Sequence, residues 1–317
     1  MIASIRAAAR TLEGVAVRTP LLSVEALLGA PVYLKCEQFQ PIGAFKIRGA
    51  YTALARLDPA VRARGVVTSS SGNHGQAVAW AARAFGVRAV VVMPESAAKV
   101  KVDGVRAAGG EVVFAGATRS AEQTERAERF AREEGLALVP PFDHPDVIAG
   151  QGTCGLEILE QLPEVETILV PVGGGGLLGG IAAAVAGVKP AVRVVGVEPA
   201  GAPKLSAALA AGRPTTLPAT ASLADGLLTR AVGTLTWELI RPVVREAVQV
   251  SELQIQRAVR LLYEEARLAV EPSGAVTVAA LLAGHVRPTG PAVAVVSGGN
   301  VDADVLARIL AAGADAA

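Results

Sequence analysis

The chain has 317 residues, 51% of them hydrophobic, and its formal net charge at pH 7 is +1. This length allows two domains or one large α/β unit with a sizeable core, and the near-zero charge gives no reason to expect a nucleic-acid or anionic-membrane partner. With only two cysteines, Cys36 and Cys154, no disulfide framework is predicted, and a reducing cytoplasm is the expected location.

Two segments could be taken for export or membrane signals. The first residues, MIASIRAAARTLEG, carry arginines where a signal peptide needs its apolar centre. Residues 167–188 carry no charge, but they contain a proline and seven glycines, which oppose a continuous membrane-spanning helix. We expect neither a signal peptide nor a membrane span.

Strand and helix patterns alternate along the chain. In the first half, strands are predicted over 65–71, 87–94 and 111–116, helices over 72–86, 97–110 and about 120–134, and a short strand and loop over 137–143. In the second half, helices over 150–161 and 177–187 alternate with strands over 167–172, 192–198 and 291–300. This alternation predicts an α/β fold with parallel-rich sheets covered by helices. Ligands should bind at the carboxyl ends of the strands.

A glycine-rich segment, VGGGGLLGG at 172–180, joins one predicted strand to a helix. Backbone N–H groups and a helix dipole converge at such a junction, which is typical of a phosphate site. Gly174, Gly176 and Gly179 also spell G-x-G-x-x-G, and Glu198 ends the next strand, as in a dinucleotide site. The segment alone leaves both a nicotinamide dinucleotide and a smaller phosphorylated cofactor open.

Three further stretches carry candidate chemistry. TSSSGNHGQA (68–77) offers hydroxyls and N–H groups at a strand-to-helix junction, either as a second anion site or as ordinary capping. QPIGAFKIRGAY (40–51) places Lys46 among apolar residues, where a lysine can act as a nucleophile or base rather than a solvated surface group. VVSGGN (295–300) ends a strand with a hydroxyl, two glycines and an amide, which could equally be a plain turn.

In combination these motifs resemble those of the fold-type II pyridoxal 5′-phosphate (PLP) enzymes, in the threonine/serine dehydratase and serine racemase branch. The motifs that carry the resemblance are FKIRGA (45–50), SSGNHGQA (70–77), AGQGT (149–153), VGGGGLLGG (172–180), EPSGA (271–275) and SGGN (297–300). It implies a two-lobed, tryptophan synthase β-like architecture. Residues 1–50 and 142–317 would form a large cofactor-binding domain and 51–141 a small domain, without a C-terminal regulatory domain.

The resemblance also implies how the cofactor is held. Lys46 is expected to form the Schiff base with PLP and to act as the base on the substrate Cα, with Phe45 packing against the cofactor. Asn73 would bond the phenolic O3′ atom, and Ser297 would face the pyridine nitrogen. The phosphate would bind to Gly173, Gly174, Gly175, Gly176 and Leu177, while Gly226 and Glu271 would line the cleft near the ring.

The implied substrate is an L-β-hydroxy amino acid. Its carboxylate would bind at Ser70, Ser71, Gly72, Asn73 and His74. The implied reaction is β-elimination of water from L-threonine or L-serine, giving a 2-oxo acid and ammonia. Serine racemase activity stays an alternative because Ser71 stands where racemases keep a second acid–base serine, although this hydroxyl could equally be a helix cap. The activities of a 3-hydroxyaspartate dehydratase and of a nicotinamide dinucleotide-binding oxidoreductase also stay open. Relatives are commonly homodimers, so a homodimer is expected.

No metal is expected. The three histidines lack metal-ligand spacing. In racemase relatives a divalent cation lies near the acid matched by Glu198, together with a second carboxylate. Here Lys204 stands roughly where that second carboxylate would be, so a cation would lose a ligand and meet a positive charge.

Overall fold

The computed structural model describes residues 1–118 and 121–312. Within them, ten strands form two sheets. The strands are β1 (Leu21–Ser23), β2 (Val32–Cys36), β3 (Val66–Ser69), β4 (Ala89–Met93), β5 (Glu111–Phe114), β6 (Ala137–Leu138), β7 (Thr167–Pro171), β8 (Arg193–Pro199), β9 (Glu246–Val250) and β10 (Ala292–Val296).

Fourteen α-helices and two short 3₁₀ turns connect the strands in the same described ranges. The helices are α1 (Ile2–Thr11), α2 (Glu25–Leu28), α3 (Lys46–Arg56), α4 (Pro59–Ala63), α5 (Asn73–Ala84), α6 (Lys99–Ala107), α7 (Ala121–Glu134), α8 (Pro145–Gln161), α9 (Gly176–Val188), α10 (Lys204–Ala211), α11 (Thr234–Ile240), α12 (Glu252–Glu264), α13 (Pro272–Leu282) and α14 (Ala303–Ala311). The 3₁₀ turns are Glu37–Phe39 and Asp225–Leu227.

Both sheets are built mainly from parallel strands. The larger sheet has the order β1-β2-β10-β7-β8-β9, and the smaller sheet the order β5-β4-β3-β6. Only β1, at one edge, runs antiparallel to its neighbour β2 among the described pairs. Strands such as β7 and β10 are buried along their whole length, as expected of β-branched runs covered by helices on both faces. The predicted α/β class with parallel-rich sheets is confirmed.

The two sheets come from different parts of the chain. The four-stranded sheet uses strands between residues 66 and 138, and the six-stranded sheet uses strands on both sides of that range. A separate apolar core packs around each sheet. The division into a small domain at 51–141 and a large domain formed by the remainder stays a prediction.

The predicted elements differ from the structure mainly at their ends. α8 begins at Pro145, five residues before the predicted start, because His144 caps the helix and Pro145 occupies its first turn. β6 has only two residues, because the following prolines remove N–H donors from the sheet. No helix in residues 1–118 or 121–312 has the combination of length and apolar character that crossing a bilayer requires.

Candidate active site

Two helix N-termini lie at the carboxyl ends of parallel strands, one in each sheet. α5 follows β3 in the four-stranded sheet, and α9 follows β7 in the six-stranded sheet. In the part of the chain that is described, the backbone N–H groups of Gly173 to Leu178 donate to no protein acceptor. Gly175 caps α9 with φ of 92°, a left-handed conformation that favours glycine. The segment therefore presents a set of free N–H groups to an anion.

Close packing favours glycine at positions 173 and 174 of this segment. A Cβ atom built on Gly174 would overlap the ring of Phe142, and one on Gly173 would lie 3.2 Å from the carbonyl oxygen of Gly226. The Thr236 hydroxyl donates to the carbonyl oxygen of Gly174 at 2.9 Å. Side chains at Gly173 and Gly174 would press on these neighbours, so the segment keeps its free N–H groups without side chains of its own, which fits a phosphate held by the backbone.

The neighbouring N-terminus of α11 differs because a side chain already satisfies it. The Asp143 carboxylate accepts the N–H groups of Thr234 and Thr236, each at 3.0 Å. A second anion at this end would meet a negative charge. The anion site is therefore confined to the N-terminus of α9 on this side of the sheet. Neither Phe142 nor Asp143 is among the residues predicted from the sequence, although PPFD (140–143) ends a predicted strand.

Lys46 is the first residue of α3, and its ammonium bonds to the segment that packs on the glycine-rich turn. Its Nζ atom donates to the carbonyl oxygen of Pro141 at 2.6 Å and lies 5.2 Å from the centre of the Phe45 ring. Pro141 immediately precedes Phe142, whose ring packs on Gly174. Lys46 is therefore linked, through two consecutive residues, to the glycine-rich segment.

A buried ion network holds the beginning of α3. Arg48, which is 1% exposed, contacts the fully buried Glu37 at 2.7 Å and Glu157 at 2.7 Å. Burial alone would raise the pKa of Glu37, but the Arg48 guanidinium holds it below its ordinary value. Lys35 also contacts Glu157, at 2.6 Å. Because Arg48 lies two residues after Lys46, this network fixes the helical turn that carries the lysine.

His74, on the first turn of α5, is buried and uncharged. Its Nε2 atom lies 3.1 Å from the carbonyl oxygen of Val139 and donates to it, which leaves Nδ1 as an acceptor with no protein partner in the described chain. Burial, and after it the Lys46 ammonium, lower the pKa of His74 to about 3. Because Val139 and Pro141 are two residues apart, His74 and Lys46 bind carbonyl groups of the same short segment.

The segment before α5 presents further donors. The Ser70 hydroxyl oxygen accepts the N–H groups of Gly72 at 3.2 Å and Gly75 at 3.0 Å, so Ser70 caps the helix. The backbone N–H groups of Asn73 and His74 have no acceptor within the described residues. Ser71, which follows Ser70 in the chain, is half-buried. The N-terminus of α5 thus offers a second place for an anion, as the sequence suggested.

A polar chain connects α5 to the six-stranded sheet. Asn73 Nδ2 donates to Glu271 Oε1 at 2.6 Å. Lys101 Nζ, on α6, lies 3.0 Å from Glu271 Oε2 and 2.6 Å from Asp225 Oδ2. Burial would lower the pKa of Lys101, but the two carboxylates raise it above its ordinary value. Burial raises the pKa of Glu271, while Lys101 opposes this effect. Lys101 and Asp225 were not predicted as site residues, because charged side chains in such stretches of sequence are usually exposed to solvent.

The motif SGGN (297–300) lies directly against the loop that precedes Lys46. Ser297 follows β10 and is 4% exposed. Main-chain contacts join residues 297–299 to residues 43–45: Phe45 N to Ser297 O at 3.0 Å, Gly299 N to Gly43 O at 2.9 Å, and a β-bridge between Ala44 and Gly298. This pairing sets the position of Ser297 relative to Lys46.

Gly226 completes the wall of the site. It lies in the 3₁₀ turn beside Asp225, and its N–H donates to the Ser273 hydroxyl at 2.9 Å. Its carbonyl oxygen approaches Gly173. The predicted site residues therefore lie on neighbouring elements. Direct contacts, or one or two intervening residues, join Lys46, Phe45, Asn73, His74, the glycine-rich segment, Gly226, Glu271 and Ser297.

Glu198 lies away from this group and is engaged elsewhere. Its side chain is fully buried, and its two oxygens accept the N–H groups of Leu205 and Ser206, each at 2.8 Å. The Lys204 ammonium, also fully buried, lies 3.7 Å from Glu198 and donates to the Ala202 carbonyl oxygen at 2.7 Å. Because both oxygens of Glu198 cap α10, this acid does not fit a ribose contact, and the dinucleotide interpretation loses its acidic residue.

Comparison with known proteins agrees with this geometry. A family model described as "Pyridoxal-phosphate dependent enzyme" matches residues 12–298. The chain is 44% identical over 310 residues to an L-threonine ammonia-lyase of Thermotoga maritima, covering 96% of this chain and 77% of the relative. It is 41% identical over 315 residues to a serine racemase of Oryza sativa subsp. indica, covering 96% and 92%. The structure of maize serine racemase matches with a TM-score of 0.92 at 38% identity, covering 99% and 98%.

Proposed function

Since the chain belongs to the family of pyridoxal-phosphate dependent enzymes, we propose that it is an ammonia-lyase that eliminates water from L-threonine or L-serine, giving a 2-oxo acid and ammonia. The position of Lys46 carries the proposal: its ammonium is linked to the glycine-rich segment through Pro141 and Phe142. Similarity to an L-threonine ammonia-lyase over 96% of the chain supports it.

The residues of the site fit the cofactor. The free N–H groups of Gly173 to Leu178 would hold its phosphate, and Lys46 would bond to its aldehyde carbon. When bound, PLP supplies a conjugated ring that accepts the electron pair left on the substrate Cα. Ser297 would face the ring nitrogen, and a hydroxyl there does not force this nitrogen to be protonated. The weaker electron sink suits prompt loss of a β-substituent.

The chain's own groups would then carry out the proton transfers. The N–H groups of Asn73 and His74 would hold the substrate carboxylate at the N-terminus of α5. Lys46 Nζ, once replaced by the substrate amine, would take the proton from Cα and would return it to the hydroxyl as the Cβ–O bond breaks, so that water leaves. The released enamine would react with water to give the 2-oxo acid and ammonia. Phe45 would shield the reacting face beside Lys46.

Serine racemisation is the second candidate function. It requires a proton donor on the face opposite Lys46, and Ser71 lies within the same segment as the free N–H groups of α5. Similarity to a rice serine racemase over 96% of the chain supports this alternative. Elimination remains the main proposal because it needs only the base, the carboxylate site and a departing hydroxyl.

A substrate panel tests the proposal. The PLP-loaded protein is incubated with L-threonine, L-serine and 3-hydroxyaspartate, and 2-oxo acid, ammonia and the inverted amino acid are measured together. Formation of 2-oxo acid and ammonia in equal amounts is expected. Inversion without elimination would make the protein a racemase, and no product from any of the three substrates would overturn both activities.

Two further properties belong to the proposal. We expect a homodimer in a reducing cytoplasm, supported by the resemblance to dimeric relatives and by the two cysteines, which are buried and unpaired. Sedimentation of the PLP-loaded protein, with and without reductant, measures both the assembly and its independence of disulfides.

A further inference from the structure

Asn300 is the last residue of the SGGN motif (297–300), and its side-chain amide joins three parts of the site. Its Nδ2 atom lies 2.8 Å from the carbonyl oxygen of Ile42, 2.9 Å from Asn73 Oδ1 and 3.0 Å from Gln76 Oε1. Ile42 belongs to the loop before Lys46, whereas Asn73 and Gln76 are on α5. One NH₂ group therefore connects the lysine loop, the strand end at β10 and the helix across from them.

The orientation of this amide is determined by a group that cannot rotate. The Ile42 oxygen belongs to the main chain and can only accept, so the atom of Asn300 facing it must be the nitrogen. The atom of Asn73 facing Asn300 must then be an acceptor, which is Oδ1. The other end of the Asn73 amide, Nδ2, donates to Glu271 Oε1 at 2.6 Å. Both ends of the Asn73 amide are thus assigned by their neighbours.

The second hydrogen of Asn73 Nδ2 has no acceptor among the described residues. We propose that Asn300 is a positioning residue which, together with Glu271, holds Asn73 so that this hydrogen is presented to the phenolic oxygen of the cofactor ring. The inference rests on the proposed function to the extent that Asn73 contacts the ring oxygen. The new element is Asn300, which fixes Asn73 as a hydrogen-bond donor to that oxygen.

The opposite orientation would be unfavourable at two places. A flipped Asn73 would put its oxygen against the Glu271 carboxylate and against the ring oxygen, and both of these are acceptors. With Asn300→Ala the Asn73 amide loses the partner that holds Oδ1, so the flipped state becomes accessible. With Asn300→Asp an acceptor of the same shape faces the oxygens of Ile42, Asn73 and Gln76, which favours the flip directly. Asn300→Asp should therefore be the more damaging change.

A double-mutant cycle tests this inference through cofactor binding rather than turnover. PLP affinity and the pH midpoint of its visible absorption band are measured for the wild type, Asn300→Ala, Asn73→Ala and the double variant. We expect Asn300→Ala to weaken PLP binding on the order of tenfold in the wild type and less than about twofold in the Asn73→Ala background, since coupled contacts give such non-additivity. Asn300→Asp should weaken binding further and move the absorption midpoint.

Several outcomes would overturn the inference. Equal losses from Asn300→Ala in both backgrounds would mean that Asn300 only tethers the loop at Ile42. Wild-type PLP affinity in the Asn300→Asp variant would also contradict the inference. This variant keeps the shape of the side chain, so it provides the test even if Asn300→Ala does not fold. Because the readouts are affinity and absorption, a protein that binds PLP but eliminates no water would refute the proposed function while leaving the cycle interpretable. Thermal unfolding of the PLP-free variants verifies that they fold.

Discussion

The Nζ atom of Lys46 and the carbonyl oxygen of Pro141 lie 2.6 Å apart. Pro141 is followed by Phe142, whose ring occupies the space that a Cβ atom of Gly174 would need. The Lys46 ammonium and the glycine-rich segment are therefore held at a fixed separation by two consecutive residues. A cofactor with an aldehyde at one end and a phosphate at the other fits this arrangement.

The covalent role of Lys46 can be tested by trapping. Borohydride reduction of the PLP-loaded protein should attach the label to Lys46, because its ammonium bonds to Pro141, whose neighbour Phe142 packs on the glycine-rich segment. Peptide mapping that found the label on the buried Lys35 would refute the assignment. Lys46→Ala should lose turnover by about 10³-fold or more, whereas the exposed Lys99→Ala should retain it.

The hydroxyl of Ser71 should separate the two candidate reactions. If Ser71 delivers the proton on the face opposite Lys46, Ser71→Ala should slow interconversion of L- and D-serine by about 10²–10⁴-fold. Dehydration of L-threonine should survive, because its base is unchanged. Chiral chromatography beside an oxo-acid assay measures both rates. Equal and modest losses in the two reactions would show that Ser71 has only a structural role at the start of α5.

The glycine-rich segment should tolerate a methyl group at one position and not at another. A Cβ on Gly174 overlaps the Phe142 ring, so Gly174→Ala should weaken PLP binding. A Cβ on Gly179, in the same region of the chain, lies no closer than 3.4 Å to its neighbours, and alanine in α9 gains about 1 kcal/mol of helix propensity over glycine. Gly179→Ala is therefore the matched control. Partial recovery in Gly174→Ala/Phe142→Ala, measured by PLP titration, would identify the ring as the cause; no recovery would exclude it.

The Lys204–Glu198 pair leads to an expectation about ions. Lys204 supplies a buried positive charge 3.7 Å from Glu198, so a chelator should leave dehydration unchanged. A large loss of activity restored by magnesium or calcium would contradict this.

Lys204→Met should lower the free energy of unfolding by about 3 kcal/mol, because it leaves a buried carboxylate without its cation. Lys99→Met, which alters an exposed side chain, should change it by less than about 0.5 kcal/mol.

Burial of neutral His74 should make the PLP-free protein sensitive to acid. Its pKa falls from an ordinary 6.5 to about 3 in the folded chain. Between these pH values the unfolded chain binds a proton that the folded chain does not. The native state therefore loses stability as the pH falls from about 6.5 towards 3, at about 1.4 kcal/mol per pH unit for this one group. His74→Asn should remove that part of the slope.

Urea unfolding of the two proteins at pH 6.5, 5.5 and 4.5 measures the difference in slope. The absolute stability of the variant is immaterial, because the comparison is between slopes. Asparagine retains an amide that can donate to the Val139 carbonyl oxygen, which keeps the native hydrogen bond available. Parallel slopes in the two proteins would mean that His74 is protonated in the folded state.

Elements that depend on local patterns could be predicted from the sequence, whereas contacts between distant segments could not. The strand at 167–172 and the helix at 177–187 are set by a β-branched run, four glycines and an alanine-rich stretch, and the structure has them at Thr167–Pro171 and Gly176–Val188. β2 and β9 carry shorter apolar patterns and were not predicted. Among the described strands β9 pairs only with β8, at the sheet edge, so its sequence need not be uniformly apolar.

The residues missed in the site share one cause. Lys101 lies in a charged helical stretch typical of a solvent-exposed face, yet it is 1% exposed and binds an aspartate 124 residues further along the chain. Its burial depends on Gly72, where a Cβ would lie 2.8 Å from the Lys101 side chain. No local pattern shows that a glycine in one helix cap makes room for a lysine of another helix. The recognisable motifs indicated the chemistry, and the polar groups that hold them were visible only in three dimensions.

The two tryptophans of the sequence lie beside different sheets and can serve as separate fluorescence probes. Trp237 is buried on α11, directly after the threonine whose hydroxyl bonds to Gly174, while Trp80 lies on α5 with its ring 6.4 Å from that of Tyr51. Emission from Trp237 should therefore report occupation of the glycine-rich segment, and emission from Trp80 should report events at the four-stranded sheet. Single-tryptophan variants, Trp80→Phe and Trp237→Phe, would allow the arrival of the phosphate and the response of α5 to be timed separately in one stopped-flow fluorescence experiment.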